Sequence, residues 1–290
     1  MTHTALTTEG PTFSRIIAGA WRWTLPVPEV AKLISSSVEV GITTFDNADI
    51  YGDYQNEQIF GQALKRTPSL RNSIQLITKC GIMNLSQNRP ANWMKHYNTS
   101  RKHIVSSVEN SLKMLSTDHI DLLLIHRPDP LMDPQEVAEA FSALEESGKV
   151  LYFGVSNFTT GQFEMLQSYL SMPLVTNQLE ISLTFQDLLY DGTIDNLMRR
   201  RVAPMAWSPL GGGRLVNESS DFLSGKAEKY QATITQLLLA WLLRHPARIL
   251  PVIGTTKPER IKEAAGAIGI NIDTQDWFDM WKAGKEQTVA

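Results

Sequence analysis

Short runs of aliphatic residues recur along the whole chain, and several show little of the polar alternation that a half-exposed strand would have. Such runs are typical of parallel strands that are buried on both faces of a sheet. The eight candidate strands are Ile16–Ala18, Ile42–Phe45, Ile74–Thr78, Asp121–Ile125, Val150–Val155, Leu174–Asn177, Arg201–Ala206 and Ile249–Ile253. Between them, apolar residues repeat at helical spacing, most clearly in Pro28–Val40, Ile104–Leu115, Asp133–Ser147 and Thr233–Leu243.

Eight strands that alternate with helices predict an α/β fold, a closed (β/α)8 TIM barrel with parallel strands, an N-terminal extension and a C-terminal helical tail. An open dinucleotide-binding sheet is the alternative, but no GxGxxG motif follows a candidate strand. Two long connections, Asn84–Ser100 and Trp207–Ala232, leave the carboxyl ends of strands, and long loops in a compact domain are usually functional. No repeat or linker divides the chain, so residues 1–290 are expected to form a single domain.

The composition excludes several classes of function. The 290 residues carry 27 Lys and Arg against 30 Asp and Glu, a net charge of −3, without the basic patch that binds nucleic acid or anionic lipid. The one cysteine, Cys80, excludes a disulfide framework and a cysteine-based zinc site, and no other metal site is indicated. The first residues do not resemble a secretory signal, and no apolar run approaches the roughly 18 residues that span a bilayer. We therefore expect a cytoplasmic protein with a small-molecule substrate; its oligomeric state stays open.

Residues with acid–base chemistry follow three consecutive strands. The second strand ends at Asp46, the third at Lys79 and the fourth at His126, while Tyr51 lies in the loop after the second. Because the carboxyl ends of barrel strands meet at one rim, these side chains should lie together. An ammonium held by Asp46 would lower the pKa of Tyr51 toward neutrality, and His126 could orient a carbonyl oxygen. The set suits protonation of a carbonyl oxygen, but a reduction would also need a bound hydride donor. Taken singly, each residue also fits a structural role, such as a turn former or an ion-pair partner.

Glycines and cations follow the last two strands. The segment Pro209–Arg214 contains three consecutive glycines, and Ile253–Arg260 leads into a predicted helix. The loops after strands seven and eight are the usual phosphate site of such a barrel, and a helix N-terminus offers free N–H groups there. Thr255, Lys257 and Arg260 add further donors. The sequence therefore predicts a phosphate-binding site, although the glycines could also serve only to turn the chain.

The remaining strand ends are polar or aromatic. Ser156 and Asn157 end the fifth strand, and Gln178 follows the sixth. Such side chains can pair with a ligand amide, which both donates and accepts hydrogen bonds. Trp207 ends the seventh strand and could stack on a flat ring. Capping and core packing are the structural alternatives for each of these residues.

In combination, these residues resemble the aldo-keto reductase family, and they look closest to its bacterial YdhF-type oxidoreductase branch. The motifs that carry the resemblance are Phe45–Gly52, Lys79, Asp121–His126, Gly154–Asn157 and Ser208–Leu210. They occur in order, so the resemblance covers nearly the whole chain, from Ile16 to Ala264. It implies a (β/α)8 barrel that binds NADP(H) without a Rossmann unit and reduces an aldehyde or ketone to an alcohol.

The resemblance also implies roles for the acid–base residues. Tyr51 would be the general acid, Asp46 and Lys79 would tune its pKa, and His126 would orient the substrate carbonyl.

The substrate pocket is expected to be shaped by Trp21, Trp23 and Tyr54 together with the Asn84–Ser100 loop. Their aromatic side chains favour an apolar or aromatic carbonyl compound.

For the cofactor, the resemblance implies that Ser156, Asn157 and Gln178 hold the nicotinamide carboxamide and that Trp207 stacks on its ring, where the family usually has Tyr. The loop after the seventh strand would contact the pyrophosphate, and the segment after the eighth would hold the adenosine 2′-phosphate, with Glu263 near the adenine. The full set of expected cofactor residues is Ala20, Trp21, Ser156, Asn157, Gln178, Trp207, Ser208, Pro209, Leu210, Gly211, Gly212, Arg214, Gly254, Thr255, Thr256, Lys257, Arg260, Glu263 and Ala264.

Two departures from the family pattern concern the choice between NADP and NAD. Many members have Lys where this chain has Gly254, so the charge of the 2′-phosphate would fall to Lys257 and Arg260. Ala264 stands where Asn is common, which removes one adenine contact. We therefore expect a preference for NADPH that is clear but not extreme.

Three functions are compatible with these observations. The first is an NADPH-dependent carbonyl reductase, which the complete set of Asp46, Tyr51, Lys79 and His126 favours. The second is a non-catalytic NADP(H)-binding regulatory subunit, since the fold also serves channel-associated subunits. The third is a barrel aldolase that forms a Schiff base on Lys79.

Overall fold

An antiparallel hairpin opens the chain in the computed structural model, which describes residues 2–218 and 220–285. Its strands are β1 (His3–Ala5) and β2 (Thr12–Ser14). Leu6 and Phe13 are buried in the same apolar cluster as the inward-facing side chains of the barrel strands. The hairpin is the predicted N-terminal extension, and it fills the amino-terminal end of the barrel.

Eight parallel strands form a closed barrel behind this hairpin. In chain order they are β3 (Ile17–Gly19), β4 (Thr44–Asp46), β5 (Gln75–Cys80), β8 (Ile120–Ile125), β9 (Val150–Ser156), β10 (Leu174–Glu180), β11 (Met205–Trp207) and β12 (Leu250–Ile253). Each pairs in parallel with its neighbour in this order, and β12 pairs with β3 to close the ring. The predicted (β/α)8 barrel is confirmed. The seventh strand begins at Met205 rather than Arg201, because Arg201 adopts a left-handed conformation with φ 59°.

Helices surround the barrel and connect its strands. They are α1 (Val27–Glu39), α2 (Tyr51–Tyr54), α3 (Asn56–Leu64), α4 (Arg101–Leu115), α5 (Pro134–Glu146), α6 (Thr160–Tyr169), α7 (Thr193–Arg199), α8 (Arg214–Asn217), α9 (Asp221–Lys229), α10 (Ile234–Leu243), α11 (Pro258–Ala265) and α12 (Thr274–Lys285). Several begin at a side chain that accepts a hydrogen bond from the first turn, as Ser100, Asp133 and Thr233 do. The last helix, α12, is the predicted C-terminal tail. No helix in the described ranges combines the length and the apolarity needed to cross a membrane.

The two long connections contain secondary structure of their own. In the first connection, β6 (Ile82–Met83) pairs antiparallel with β7 (His96–Tyr97). The segment Asn84–Ser100 therefore contains the turn and the second strand of a hairpin. Within the second, α8 and α9 follow a 3-10 turn at Gly211–Gly213. Both connections leave the carboxyl end of the barrel, which places them beside the predicted site.

Candidate active site

Lys79 joins three groups at the carboxyl end of the barrel. Its Nζ is completely buried and donates hydrogen bonds to Asp46 Oδ2 at 2.7 Å, to the Asn47 carbonyl at 2.8 Å and to Tyr51 Oη at 2.9 Å. Strands β4 and β5 lie side by side, so their carboxyl ends deliver Asp46 and Lys79 to the same place. The structure therefore brings these three predicted residues into direct contact.

His126 faces the same tyrosine from the next strand. It follows β8, and its backbone N–H donates to the Cys80 carbonyl at 2.9 Å. Its ring lies edge-to-face against Tyr51, with centroids 5.9 Å apart at 78°. Nδ1 is buried and has no hydrogen-bond partner in the described part of the chain. The imidazole is thus held in place by packing against the phenol that it would assist.

The pKa of Tyr51 differs from the sequence-based expectation. Burial raises the pKa of the phenol above its ordinary value of 10.0, and the Asp46 carboxylate adds to this shift. The Lys79 ammonium lowers the pKa of Tyr51, through its charge and its hydrogen bond, but does not offset burial. The expectation that the neighbouring ammonium lowers the pKa of Tyr51 toward neutrality is therefore wrong for the protein without cofactor or substrate. At neutral pH the phenol keeps its proton, as a proton donor must.

Charge states of the other two groups follow from their surroundings. Burial alone would lower the pKa of Lys79, but Asp46 and Tyr51 outweigh it and raise this pKa above 10.5, so the amine stays protonated. Burial lowers the pKa of His126 well below 6.5, and the positive charges of Lys79, Arg127 and Lys95 lower it further. His126 is therefore neutral at pH 7, with one N–H to donate.

A chain of hydrogen bonds links Asp46 to the predicted nicotinamide region. Gln178 Nε2 donates to Asp46 Oδ1 at 2.9 Å, and the backbone carbonyl of Gln178 accepts from Ser156 Oγ at 2.9 Å. Asn157 Nδ2 donates to Ser156 Oγ at 2.7 Å, and Asn157 Oδ1 accepts from Trp207 Nε1 at 2.9 Å. The four residues expected to hold the nicotinamide and to stack on it are therefore adjacent to one another. They also lie next to Asp46, which with Tyr51, Lys79 and His126 forms what we call the acid–base group.

A cleft of about 370 Å³ lies between the ends of β3, β11 and β12. Ten expected cofactor residues line it: Trp21, Ser208, Pro209, Leu210, Gly212, Gly254, Thr255, Arg260, Glu263 and Ala264. Arg22, Gly213, Val216, Asn217 and Thr235 also line it and were not expected from the sequence. The other nine expected cofactor residues are not among those that line the cleft: Ala20, Ser156, Asn157, Gln178, Trp207, Gly211, Arg214, Thr256 and Lys257. Ala20 is completely buried.

Backbone geometry keeps one wall of the cleft open. Gly211, Gly212 and Gly213 all have positive φ, at 58°, 70° and 102°, which other residues rarely adopt. No atom lies within 4 Å of the position that a Cβ on Gly212 would take. A phosphate group can therefore approach this backbone closely.

Trp21 packs closely against position 254 of the cleft, where the chain has glycine. A Cβ on Gly254 would lie 2.4 Å from Trp21 Nε1, which is too close for any real side chain. The guanidinium of Arg22 stacks on the same indole, 4.4 Å from the ring centroid, and lies 3.4 Å from the Gly212 carbonyl oxygen. Arg22 thus brings a positive charge into the cleft; its position three residues after the end of β3, at the carboxyl rim of the barrel, is the signal that could have identified it.

Two of the expected substrate-pocket residues have structural contacts instead. Trp23 is only 2 % exposed, because it packs between Phe45 and Phe60 and donates from Nε1 to the Thr255 carbonyl at 2.9 Å. The expectation that Trp23 lines the substrate pocket is therefore wrong. The Tyr54 hydroxyl accepts from the backbone N–H of Asn84, which attaches the long hairpin to the segment after Tyr51.

The family model described as "Aldo/keto reductase family" matches residues 15–284. The chain belongs to the aldo-keto reductase family. It is 50 % identical over 284 residues to "Oxidoreductase YdhF" of Escherichia coli, with 95 % of each chain covered. It is 46 % identical over 286 residues to a "6-dehydroglucose reductase" of Agrobacterium fabrum, with 96 % of each covered. The resemblance to the family and to its YdhF-type branch is confirmed.

The fold is also found among solved structures. An aldo/keto reductase from Klebsiella pneumoniae, whose crystal structure was solved with NADP and acetate, matches with a TM-score of 0.83 at 24 % identity. The match covers 98 % of this chain and 95 % of that one.

A buried glutamate lies behind the acid–base group of this aldo-keto reductase. Glu57 is 3 % exposed and accepts hydrogen bonds from Thr78 Oγ1 at 2.6 Å and Ser111 Oγ at 2.9 Å. Burial raises its pKa from 4.5 to about 7. The folded protein therefore binds this proton more tightly than the unfolded chain does, and this group makes the free energy of unfolding fall as the pH rises from about 4.5 to about 7.

Replacing Glu57 by Gln removes this titration. We expect the variant to be more stable than the wild type at pH 8, by at most about 3 kcal/mol, and to differ little from it at pH 5. Urea denaturation at both pH values measures the difference, and Glu146→Gln, at an exposed position, is the matched control. Parallel pH profiles for the wild type and Glu57→Gln would show that Glu57 does not titrate in this range.

Proposed function

We propose that the protein reduces an aldehyde or ketone to an alcohol with NADPH, and that Tyr51 is the general acid. The observation that carries this proposal is the 2.9 Å hydrogen bond between Lys79 Nζ and Tyr51 Oη, with His126 against the same phenol. A protonated phenol in contact with a buried cation can release its proton to an oxygen on which negative charge develops. The complete acid–base set therefore favours a reductase over a non-catalytic regulatory subunit.

The cleft fits the proposed cofactor. Three left-handed glycines expose backbone to an approaching phosphate, Arg260 and Arg22 bring positive charge, and Trp21 offers an aromatic surface. The Klebsiella protein of the same fold was crystallised with NADP. NADPH, when bound, supplies the hydride that the acid–base residues cannot supply.

Each polar residue of the site then has a distinct task. His126 is neutral and donates its N–H to the carbonyl oxygen of the substrate, which fixes its direction. Tyr51 gives its proton to the same oxygen as negative charge develops there. Lys79 stabilises the phenolate that remains, and Asp46 keeps Lys79 protonated and in position. A positioned acid of this kind contributes about 10²–10⁴-fold to the rate.

The aldolase alternative is disfavoured by the charge of Lys79. Schiff-base formation needs a neutral amine that attacks the substrate carbonyl. Asp46 and Tyr51 instead raise the pKa of Lys79, and all three donor positions of its ammonium are occupied.

The substrate class is less apolar than the aromatic side chains of the sequence suggested. Trp23 is withdrawn into the core, whereas the charge of Arg127 acts on Tyr51 and also on Glu180. The Agrobacterium relative is named a 6-dehydroglucose reductase. We therefore propose a small, polar carbonyl compound, and sugar aldehydes are one such class.

A panel of aldehydes, ketones and quinones, tested with NADPH and with NADH, examines the proposed function. We expect NADPH-dependent reduction of at least one reactive aldehyde and a clear, moderate preference for NADPH. Oxidation of neither cofactor with any member of the panel, by protein that binds NADPH, would favour the regulatory-subunit alternative.

Arg260 is expected to distinguish the two cofactors. It lines the cleft on the first turn after the N-terminus of α11, where a 2′-phosphate would gain both a cation and free N–H groups. We expect Arg260→Ala to weaken NADPH binding roughly 10–150-fold, the range for a lost hydrogen bond to a charged group, and to change NADH binding far less.

Titration of cofactor fluorescence measures both affinities. Arg66→Ala removes an exposed arginine at the end of α3 and should change neither affinity. Equal weakening of NADPH and NADH by Arg260→Ala would assign Arg260 a structural role and place the 2′-phosphate elsewhere.

A further inference from the structure

Arg127 is a half-buried arginine at the edge of the acid–base group, and its guanidinium lies over an aromatic ring. It directly follows His126, and its Cζ lies 5.3 Å from the ring centroid of Trp207. Within residues 2–218 and 220–285 its guanidinium forms neither a hydrogen bond nor an ion pair. Arg71 shows the usual arrangement for a half-buried arginine in this protein: it makes four hydrogen bonds, one of them to the Asp121 carboxylate.

The charge of Arg127 reaches the groups proposed to act on the substrate. Burial dominates the pKa of both Tyr51 and His126, and the charge of Arg127 lowers each of them. Lys95, on the hairpin after β5, also lowers the pKa of His126. Glu180 also interacts with the charge of Arg127, although the two form no ion pair; burial raises the pKa of Glu180, while Arg127 and Arg214 lower it. Arg127 and Lys95 therefore place positive charge near His126, the residue proposed to orient the substrate carbonyl.

Arg127 is not placed to bind the phosphates of the proposed cofactor. The cleft expected to hold them is lined by Arg22 and Arg260, and Arg127 is absent from its lining. It lies on the side of Tyr51 and His126, where the reacting carbonyl would be.

The chemistry of the side chain then indicates the ligand. A guanidinium has five N–H donors in a planar fork that matches the two oxygens of a carboxylate. Leaving such a group partly desolvated and unpaired is unfavourable, and an oxyanion in the pocket would relieve that cost. A neutral, apolar carbonyl compound would leave the donors of Arg127 unused.

We propose that Arg127 binds a carboxylate of the carbonyl substrate, so that the protein prefers anionic aldehydes over their uncharged analogues. This inference rests on the proposed function and adds the class of its substrate. Arg127 is then a specificity-determining residue that orients the substrate from its non-reacting end, while Tyr51 and His126 act at the carbonyl.

The test compares two aldehydes of similar shape, 4-carboxybenzaldehyde and its methyl ester, at saturating NADPH; the ester is the intrinsically more electrophilic of the two, so a preference for the acid cannot come from reactivity. For the wild type we expect kcat/KM to be about 10–100-fold higher for the acid, the range for a hydrogen-bonded charge pair, and this preference to shrink as the salt concentration rises. Arg127→Met should lower kcat/KM for the acid by about the same factor, mainly through KM, and should affect the ester much less.

Arg127→Lys should keep part of the preference, because it keeps the charge but loses the planar fork. Arg66→Met is the control for removing a positive charge elsewhere and should leave both substrates unchanged.

Several outcomes would overturn the proposal. Equal kcat/KM for acid and ester in the wild type, or equal losses on both in Arg127→Met, would show that Arg127 does not bind a carboxylate. D-glyceraldehyde is the uncharged, hydroxylated probe: if Arg127→Met lowers its reduction as much as that of the acid, Arg127 binds hydroxyl groups instead. Failure of the wild type to reduce any of these three compounds, or benzaldehyde as a fourth, would count against the proposed function itself. Reduction of the ester without preference for the acid would count only against the role of Arg127.

Discussion

Replacing Tyr51 by Phe is expected to lower kcat for aldehyde reduction by about 10²–10⁴-fold while NADPH binding stays unchanged. The change removes one hydroxyl group that accepts a hydrogen bond from Lys79 Nζ at 2.9 Å and packs against His126. Phenylalanine preserves the ring and its edge-to-face contact, so the fold should not be affected. Steady-state turnover at saturating NADPH and aldehyde measures the effect.

Two controls separate the loss of the proton donor from other effects. NADPH titration of Tyr51→Phe should match that of the wild type, and Tyr152→Phe removes a hydroxyl from a tyrosine in a barrel strand, β9, away from the carboxyl rim. Turnover close to the wild-type rate in Tyr51→Phe, with hydride transfer rate-limiting, would show that another group protonates the substrate.

Replacing Lys79 by Met is expected to lower kcat by a similarly large factor, about 10²-fold or more. The ammonium lowers the pKa of Tyr51 by its charge and its hydrogen bond, so its loss leaves only burial and Asp46, which raise that pKa. Tyr51 then becomes a weaker acid. In the reverse reaction, the oxidation of an alcohol, the Tyr51 phenolate acts as the base. Because the pKa of Tyr51 is higher in this variant, the pH at which oxidation becomes fast should move upward. Rates of oxidation measured against pH test the direction of this shift.

Lys79→Met also leaves Asp46 buried without its ion pair, which can cost about 3–5 kcal/mol of stability. The double variant Asp46→Asn/Lys79→Met removes the unpaired carboxylate and serves as the folded control. If the double variant is stable and still shows the upward shift of the pH profile, Lys79 acts on the pKa of Tyr51 rather than on folding alone. An unshifted profile in both variants would contradict the role proposed for Lys79.

Much of the architecture could be predicted because hydrophobic patterning determines it locally. Buried parallel strands need continuous apolar runs, so Leu122–Ile125 and Val150–Val155 are visible in the sequence without any tertiary information. The rule that barrel strands present their carboxyl ends at one rim then places Asp46, Lys79 and His126 together. Strand bounds were less predictable, because they depend on single backbone conformations such as the positive φ of Arg201.

What could not be predicted depends on three-dimensional packing. Trp23 and Trp21 are two residues apart in the sequence, yet one is 2 % exposed and the other 51 %. The positions of Phe45 and Phe60, both later in the chain, decide which indole enters the core. The net pKa of Tyr51 was mispredicted for the same kind of reason, because the sequence shows its neighbouring charges but not how completely protein surrounds the phenol.

Arg22 and Arg127 were missed because no motif marks them. Each directly follows a residue that the sequence analysis did identify, Trp21 and His126 respectively. What matters is the position that each guanidinium group reaches. The guanidinium of Arg22 lies near the Gly212 carbonyl across the cleft, and the guanidinium of Arg127 lies beside Trp207. A side chain with several rotatable bonds can reach either solvent or site, and sequence spacing does not distinguish these outcomes.

Transfer of a deuterium label tests most directly whether this protein reduces a carbonyl group with NADPH. The protein is incubated with NADPH deuterated at the transferable C4 position and with 4-carboxybenzaldehyde or benzaldehyde, and the alcohol is analysed by mass spectrometry and proton NMR. We predict one deuterium on the carbinol carbon of the product from the wild type, and an alcohol yield from Tyr51→Phe that is lower by about 10²–10⁴-fold in the same time. An alcohol without deuterium, or equal labelling rates in the two proteins, would contradict this mechanism.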